Sequence, residues 1–362
     1  MRHAPYTVPG TDYMNRGNGH NSISDQFVLA ITMGDAAGIG PEIIVKALAD
    51  PDIRRAAKFI VFGMNEQLCY AADRAEIEYF WGRHQHEKIS RDYPHKVVVA
   101  DYDEYSVPPW IRGPSRVAAE ASIRFCLDAV DAARAGIVDA VVTAPISKTG
   151  WKLASADWPG HTEMLAQRCK SPRKAMMFVS DSLKLALATI HEPLFEVRHK
   201  FTIGCVFEPI DLLNTALKEY FCLENPKIGV AALNPHAGEN GQFGDEERRI
   251  ISPAILLAQE QGINCLGPFS ADTLFLQASR GEFDGVVAMY HDQGMIPVKL
   301  LDFEKAVNVT VGIPIIRTAP AHGTAFDIAG QNVANPTGMK SAILTAIQMA
   351  KTKKNLECKI VN

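Results

Sequence analysis

Short apolar runs alternate with longer amphipathic stretches along this chain. Apolar runs with the β-branched and aromatic residues typical of buried strands occur at 27–33, 58–63, 96–100, 137–144, 175–180, 183–190, 227–233, 286–290 and 307–312. The stretches between them predict helices, the longest over Ser115–Gly136 and another over Asp211–Cys222. Strands that alternate with helices in this way indicate a largely parallel α/β architecture.

The chain has 362 residues, which is long for one ordinary core and favours two α/β domains. The first domain is predicted to contain residues 26–145 together with 301–362, and the second residues 146–300. Residues 1–25 are polar and lack the apolar core of a secretory signal, which predicts a disordered extension.

The composition argues against several classes of partner. A net charge of −4 argues against nucleic acid or an anionic membrane as the main partner. No apolar run approaches the ~20 residues of a membrane span. Seven scattered cysteines without a CxxC pair favour reduced thiols in a cytoplasmic protein.

A glycine-bearing turn, GDAAGIGPE, follows the first predicted strand at once. Its spacing is GxxxGxG, so the GxGxxG fingerprint of dinucleotide binding is not matched. The glycines either serve a ligand or simply permit a tight turn, and Asp35 could serve either purpose.

Polar side chains gather after the predicted strand 286–290. His291 and Asp292 come first, and Lys299, Asn308 and Arg317 follow, each bordering apolar sequence. Ligands bind at the carboxyl ends of strands in open α/β sheets. A metal or acid/base group followed by separate anion-binding groups is the set that a small charged substrate needs.

One further strand end and one helix start carry candidate anion contacts. Lys148 follows the strand 137–144, where an anion contact and a solvated lysine are equally good interpretations. His161 and Thr162 occupy the predicted first turn of a helix, where free backbone N–H groups favour anions. The alternative is that Thr162 only caps this helix.

His191, His236 and His291 each follow the end of an apolar strand, directly or within three residues. A single histidine at a strand end is more often a hydrogen-bonded structural residue than a ligand. Three of them at equivalent points could instead converge around a divalent cation.

A series of motifs then gives a family resemblance. In chain order they are GDAAGIGPE, APISK, PGHTE, ATIHEPL, NPHAGENGQFGDEE, GPFSADTLF, MYHDQGMIPVK, VNVTVGIPIIRT and HGTAFDIAG. Together they resemble the 4-hydroxythreonine-4-phosphate dehydrogenase family of vitamin B6 biosynthesis over residues 27–352.

The resemblance implies an isocitrate/isopropylmalate-dehydrogenase-like fold, in which two α/β/α domains flank a cleft. It also implies a homodimer whose active sites use both subunits, with the second domain on the metal and dimer side. The residues that it assigns to ligands are His191, His236 and His291 for a divalent metal (Zn, Mg, Co or Mn) and His161, Thr162, Lys299, Asn308 and Arg317 for the substrate.

The implied reaction is NAD- or NADP-linked oxidation of 4-hydroxythreonine 4-phosphate. Its β-keto acid product loses CO2 and gives 3-amino-2-oxopropyl phosphate, in pyridoxal phosphate biosynthesis. The phosphate would be held by Lys299, Asn308 and Arg317. Asp272 and Asp292 are candidates for proton transfer or for orienting other groups, with Lys299 as a third catalytic candidate; helix capping is the alternative for Asp272.

The segment HGTAFDIAG also resembles the cofactor loop of isopropylmalate dehydrogenases. Gly323, Thr324 and Asp327 are therefore expected to contact the cofactor, on the first domain. A carboxylate facing the ribose would repel a 2′-phosphate, which favours NAD over NADP.

Two segments differ from the usual family pattern: Ala36 replaces a proline in the first, and Pro320 and Ala321 replace a valine and an aspartate in the second. The Ala321 difference leaves other substrates open: a sugar-acid phosphate (threonate or erythronate 4-phosphate) or a cyclic cis-diol carboxylate. A protein of another class, which binds metal and ligand without turnover, is a further alternative.

Overall fold

The structure, a computed structural model, describes residues 26–108 and 110–361, so the extension predicted for residues 1–25 lies outside the described residues. The strands are β1 Val28–Thr32, β2 Lys58–Gly63, β3 Gly82–Gln85, β4 Val97–Asp101, β5 Ala140–Thr143, β6 Ala175–Val179, β7 Lys184–Leu187, β8 Ile228–Ala231, β9 Cys265–Phe269, β10 Gly285–Ala288, β11 Val307–Val311 and β12 Arg317–Pro320. The helices are α1 Gly40–Leu48, α2 Pro51–Ala56, α3 Asn65–Ala75, α4 Arg116–Arg134, α5 Lys148–Leu153, α6 His161–Arg168, α7 Val197–Lys200, α8 Ile203–Phe221, α9 Ser252–Glu260, α10 Ala271–Ser279, α11 His291–Asp302 and α12 Thr337–Val361.

The strands form one 12-stranded sheet in the order β3-β4-β2-β1-β5-β12-β11-β6-β7-β10-β8-β9. The pairings β12–β11, β11–β6 and β6–β7 are antiparallel, and the others are parallel, as the alternating pattern predicted. Strands from 26–145 and 301–362 occupy one half of the sheet, and strands from 146–300 the other. The division into two domains at these boundaries stays a prediction.

Most strands of the sheet are buried on both faces, although the edge strands β3 and β9 are partly exposed, and β6 illustrates why a central strand is continuously apolar. Met176 and Phe178 point to the smaller of two hydrophobic clusters, whereas Ala175, Met177 and Val179 pack into the larger one. Successive side chains of a strand point to opposite faces, so a strand covered on both sides needs apolar residues throughout.

Two glycines let the β1–α1 turn approach other segments closely. A side chain on Gly34, whose φ is +71°, would lie 2.3 Å from the backbone oxygen of Pro145 after β5. A side chain on Gly38 would lie 2.8 Å from the backbone oxygen of Thr324, to which the Ile39 amide donates a hydrogen bond. The turn therefore holds β5 and the predicted cofactor segment together.

Several elements differ from the hydrophobic pattern. Helix α8 begins at Ile203 and continues through Pro209, whereas the pattern predicted a start at Asp211. Strands β3, β9 and β12 were not predicted, because GRHQ, CLGPF and RTAP lack a clear apolar run. Their pairing with neighbouring strands, rather than their own composition, makes them extended.

Across residues 26–108 and 110–361, every helix is either too short or too polar to cross a lipid bilayer.

Candidate functional site

A cavity of about 350 Å³ opens at the carboxyl ends of β5, β7 and β10. This volume suits a small ligand. Its charged and imidazole-bearing lining residues are Lys148, His161, Glu163, His191, His291, Lys299, Arg317 and His322. The lining also includes Thr143, Thr162, Asn308 and Ala321, so five of the residues predicted to contact substrate share one cavity with two of the predicted metal ligands.

Arg317 is the most deeply buried charged group of the cavity, with a relative exposure of 3%. Its Nε and Nη2 donate to the Thr143 hydroxyl at 3.1 and 2.6 Å. Its Nη1 donates to Asn308 Oδ1 at 3.1 Å and to the Thr310 hydroxyl at 3.2 Å. All of these acceptors are neutral.

Burial lowers the pKa of the Arg317 guanidinium to about 10, so this group keeps its charge at neutral pH. No carboxylate lies within ion-pair distance of it among the described residues. A buried cation without a counter-ion is costly, and an anionic ligand would supply the missing charge. The cavity wall around Arg317 is therefore suited to an anion.

Two lysines add positive charge to the same cavity. Lys299, in α11, and Lys148, at the start of α5, both line the cavity with exposed side chains. Lys148 Nζ lies 3.5 Å from His191 Nε2. The position of Lys148 favours the first of its two interpretations, a contact with an anion, over a lysine in bulk solvent.

Helix α6 directs its amino terminus at the cavity. It begins at His161, Thr162 is its second residue, and Gly160 at its N-cap provides no side-chain cap. The interpretation of Thr162 as the cap of this helix is therefore wrong, because the cap position lies two residues earlier. His161 packs edge-on against Trp151 and lies 3.2 Å, Nε2 to Sγ, from Cys126.

His191 and His291 approach each other because β7 and β10 are parallel neighbours. The Thr189 amide and hydroxyl both donate to the Met289 backbone oxygen, at 3.1 and 2.8 Å. Each histidine lies two residues beyond this connection, and the ring centroids are 5.8 Å apart. Burial and the nearby Lys148 lower the pKa of His191, which favours the neutral imidazole.

Asp292 contacts the neighbouring histidine. Its Oδ1 lies 2.7 Å from His291 Nδ1, which leaves Nε2 of that ring available to the cavity. A carboxylate on the other ring nitrogen is the usual arrangement for orienting a metal-binding histidine. Gln293 donates from Nε2 to the Ala232 backbone oxygen at 2.7 Å and so joins the end of β10 to the end of β8.

His236 lies apart from the other two histidines. It is exposed, does not line the cavity, and has its ring 6.2 Å from that of Phe243. Its loop, 236–240, runs through five consecutive left-handed residues with φ between 41° and 79°. The buried carboxylate of Glu247 anchors the loop by accepting from the Leu233 and Asn234 amides at 2.9 and 2.7 Å.

Within the described part of one chain, no three histidine, cysteine, aspartate or glutamate side chains are gathered closely enough to hold a metal ion. His191 and His291 provide two imidazoles, and the third predicted ligand, His236, lies outside the cavity.

Asp272 is also outside the cavity: it is exposed in the first turn of α10, whose N-cap is Ser270. Helix capping by Asp272 is therefore wrong, although its charge suits the amino-terminal turn.

The predicted cofactor segment begins in the lining of the cavity. Gly323 lines the cavity, Thr324 is bonded to the β1–α1 turn, and the Asp327 side chain is exposed. His322 lines the cavity as well; its Nδ1 lies 3.1 Å from the Gly323 oxygen, and its buried Nε2 has no partner among the described residues. An exposed carboxylate on a segment that begins at the cavity fits a contact with ribose hydroxyls.

The pattern analysis did not identify Thr143, Thr310 and Glu163. Thr310 could have been found from the strand period of two, which puts it on the same face as Asn308. Thr143 is the last residue of β5, and its contact with Arg317 depends on the pairing of β12 with β5. Glu163 is the only carboxylate among the lining residues of the described cavity.

The fold and the cavity are those of an α/β protein with a site for a small anionic ligand. The family described as "Pyridoxal phosphate biosynthetic protein PdxA" matches residues 55–346. The chain is 43% identical over 335 residues to 4-hydroxythreonine-4-phosphate dehydrogenase of Geobacter metallireducens, which covers 90% of this chain and 96% of that protein. It is 40% identical to the putative D-threonate 4-phosphate dehydrogenase of Oceanobacillus iheyensis, with 91% and 100% covered.

Among solved structures, 4-hydroxythreonine-4-phosphate dehydrogenase of Klebsiella pneumoniae matches with a TM-score of 0.81 and 36% identity, over 91% of this chain and 99% of that one. The chain therefore belongs to the PdxA family. The predicted family, the α/β fold and the dehydrogenase class are confirmed.

Proposed function

We propose that this protein oxidises 4-hydroxythreonine 4-phosphate at its secondary hydroxyl, with NAD(P) and a divalent metal, in pyridoxal phosphate biosynthesis. The buried Arg317, whose hydrogen-bond partners are all neutral, is the observation that carries this proposal. A phosphate dianion would supply the negative charge that the neutral partners of this buried guanidinium lack. Family membership supports the chemistry, and the names of the relatives support this substrate.

The phosphate is bound by Arg317, Asn308 and Lys299. Thr143 of β5 and Asn308 and Thr310 of β11 already orient the guanidinium through hydrogen bonds. Little side-chain freedom is therefore lost when the phosphate binds. Lys299, in α11, lines the same cavity and adds a second positive charge. His161 and Thr162 contact the substrate from the amino terminus of α6, where free backbone N–H groups favour an anion.

His191 and His291 of one chain and His236 of a second copy form the metal site. The two cavity imidazoles are too few for a tightly held divalent ion, and neutral imidazoles are donors that Zn²⁺ and Co²⁺ accept. His236 is exposed on an anchored loop, so a second copy can reach it. When bound, the cation would lower the pKa of the substrate hydroxyl, and NAD(P) would accept the hydride.

The second copy docks on helix α11. Ile296, Leu300 and Phe303 recur at the spacing of one helix face and are 59%, 80% and 63% exposed. Exposed apolar side chains gathered on one face mark an interaction surface. The same helix carries His291, Met295 and Lys299 into the cavity, so a copy bound there lies beside the incomplete histidine set.

The chain's own residues then orient the reacting groups. Asp292 holds the His291 ring through Nδ1, and the Thr189 connection keeps His191 at a fixed distance from it. Asp292 and Lys299 are the candidates for moving a proton at the hydroxyl, together with Asp272 of a second copy. The protein acts in the cytoplasm.

The cofactor is NAD, held by Gly323, Thr324 and Asp327. The exposed Asp327 carboxylate would bind ribose hydroxyls and repel the 2′-phosphate of NADP.

Changing Asp327→Ala should move the ratio of kcat/KM for NAD and NADP by about tenfold towards NADP. The control Asp181→Ala removes an exposed carboxylate from the β6–β7 turn; an unchanged ratio in Asp327→Ala would remove the assignment.

D-threonate 4-phosphate is the second candidate substrate. The cavity lining has three cationic side chains, Lys148, Lys299 and Arg317, but only one carboxylate, Glu163. Ala321 provides no carboxylate that could pair with a substrate ammonium group. An acid phosphate with a hydroxyl in place of the amine suits this charge balance, and one relative has the corresponding name.

The test is NAD(P)H formation by purified protein supplied with a divalent metal. 4-Hydroxythreonine 4-phosphate is compared with threonate 4-phosphate, erythronate 4-phosphate and a cyclic cis-diol carboxylate. Turnover of the first, abolished by a chelator, would support the proposal. Turnover of only a sugar-acid phosphate would replace the substrate, and binding of metal and cofactor without any turnover would favour the non-catalytic alternative.

A further inference from the structure

We propose that Cys126 is a positioning residue that holds His161 in the tautomer with its proton on Nδ1. In this tautomer His161 presents an N–H donor to the anionic group of the ligand. The inference rests on the proposed function in taking an anion as the ligand of this cavity. It adds a buried thiol of α4, which does not line the cavity, to the recognition of the substrate.

The contact is close and sheltered. Cys126 is 1% exposed, and its Sγ lies 3.2 Å from His161 Nε2. The other polar neighbour of the thiol is the hydroxyl of Thr32, whose Oγ1 is 3.8 Å from Sγ. The imidazole nitrogen is therefore the nearer of two acceptors for the one proton that a thiol carries.

The direction of this hydrogen bond follows from the protonation of both groups. Burial raises the pKa of Cys126 to about 12, so the thiol keeps its proton at neutral pH. Burial first, and then the charges of Arg317 and Lys148, lower the pKa of His161, so its ring is neutral. Sulfur is a weak acceptor and a bare imidazole nitrogen a good one, so S–H donates to Nε2.

Nδ1 is then the protonated nitrogen of His161. It has no hydrogen-bond partner among the described residues, and it is not one of their buried, unpartnered side-chain atoms. The nitrogen is accessible on the ring that lines the cavity. Arg317, Lys148 and Lys299 already present donors there, so a ligand that satisfies them offers acceptors, and an Nδ1–H donor matches such a ligand.

Without the thiol, the ring can exchange tautomers. The proton would then spend part of its time on Nε2, and Nδ1 would present a lone pair to the anion. A lone pair facing an anion repels it, whereas a hydrogen bond to a charged acceptor raises the affinity by about tenfold or more. Cys126 thus acts on binding through His161, without contact with the ligand.

The first experiment observes the tautomer directly. Nitrogen-15 NMR of histidine-labelled protein distinguishes protonated from bare ring nitrogens of His161 near neutral pH. We expect Nδ1 protonated and Nε2 bare in the parent, with the Nδ1 signal moving when inorganic phosphate is added. A proton on Nε2 in the parent would overturn the proposal, and this measurement needs no variant.

The second experiment changes the thiol. Cys126→Ala removes the donor and should weaken inorganic phosphate binding and raise the KM of the substrate by about tenfold, with a smaller change in kcat. Cys126→Ser keeps a donor at this site and should recover most of the loss. Cys265→Ala is the matched control, because Cys265 is an equally buried thiol that does not line the cavity.

Equal losses in Cys126→Ala and Cys265→Ala, or a serine variant no better than alanine, would indicate packing alone and overturn the proposal. If Cys126→Ala does not fold, the serine variant and the parent spectrum decide the question. Absence of turnover with every candidate substrate would count against the proposed function. The tautomer and the phosphate affinity are measured without turnover and would still test Cys126.

Discussion

The cavity has an anion side and a histidine side. A single chain provides every predicted residue of the first but only two of the three predicted histidines of the second. The anion side (His161, Thr162, Lys299, Asn308 and Arg317) is assembled within a single chain, and hydrogen bonds from all three guanidinium nitrogens orient its arginine. The histidine side has His191 and His291 in place, but His236 is on the surface. One chain therefore provides the whole anion side, whereas the proposed metal site would need a histidine from a second copy.

The two sides differ because paired strands hold Arg317 in place, whereas an exposed loop carries His236. Arg317 is fixed by adjacent strands, since β12 lies between β5 and β11 and brings Thr143, Thr310 and Asn308 around it. His236 instead follows β8 on a left-handed loop that Glu247 anchors away from the cavity. Strand pairing brings groups together within a chain, and an exposed loop presents its groups outwards.

Removing the charge of the anion side should have the largest effect. Arg317→Met keeps much of the side-chain volume but removes the buried guanidinium donors and their positive charge. We expect kcat/KM to fall by about a thousandfold, as for other lost charge-assisted contacts to a buried partner. The free energy of unfolding should be unchanged or higher, because an uncompensated buried charge has gone.

Steady-state kinetics and urea unfolding of the same preparations separate these two expectations. Added phosphate should raise the melting temperature of the parent but not of Arg317→Met. Arg168→Met is the matched control, since Arg168 is exposed and paired with Asp131. A stable Arg317→Met protein with parental kcat/KM would show that the anion binds elsewhere.

The histidine side can be tested by mixing inactive variants. His191→Ala and His236→Ala subunits, once exchanged, should recover about a quarter of the parental activity. This fraction follows because half of the dimers are mixed and each mixed dimer has one complete site out of two. The measurement is activity after subunit exchange, with exchange verified by a tag on one variant.

The control pairs two residues on the same side of the cavity. A mixture of His191→Ala and His291→Ala should stay inactive, because each site of a mixed dimer lacks one of its own histidines. Recovery in this second mixture would contradict the assignment of both histidines to one chain. No recovery in the first mixture, with subunit exchange shown, would contradict a shared site.

Asp35 provides a comparison with Arg317, because it is a buried charge outside the cavity. The residue has a relative exposure of 0%, and its Oδ2 has no partner among the described residues. Burial raises the pKa of Asp35 from 3.8 to about 6. Below about pH 4 the carboxyl is protonated in both the folded and the unfolded chain; between pH 4 and 6 only the unfolded chain loses the proton.

Stability should therefore fall as pH rises from 4 to 6, by at most about 3 kcal/mol, and stay lower above pH 6. Asp35→Asn should remove this loss, so the variant and the parent differ at pH 8 but not at pH 4. Urea unfolding at several pH values tests this, with the exposed Asp181→Asn as the control. An unaltered pH dependence in Asp35→Asn would show that this carboxyl ionises freely in the folded protein.

Much of the site could be predicted from the sequence because its residues follow strands. The apolar runs predicted the positions of β7 and β10, and polar residues directly after such strands belong to the carboxyl edge of a parallel sheet. His191 and His291 were identified in this way. Asn308 was identified only as a polar residue bordering apolar sequence, and it reaches the site from the start of β11, which is antiparallel to its neighbours. Arg317 was identified only as a charge bordering apolar sequence, since the short β12 has no periodicity of its own.

What the sequence by itself determined is the α/β class, the positions of nine of the twelve strands and the residue types that can bind a phosphate and a metal. Only the tertiary structure decided that Arg317 has neutral partners alone, that Thr143 and Cys126 support the site, and that His236 lies apart from its counterparts. The reason is that apolar patterning acts between neighbouring residues of the chain. The neighbours of a buried charge depend on strands that are far apart in sequence, and composition does not encode which of them will pair.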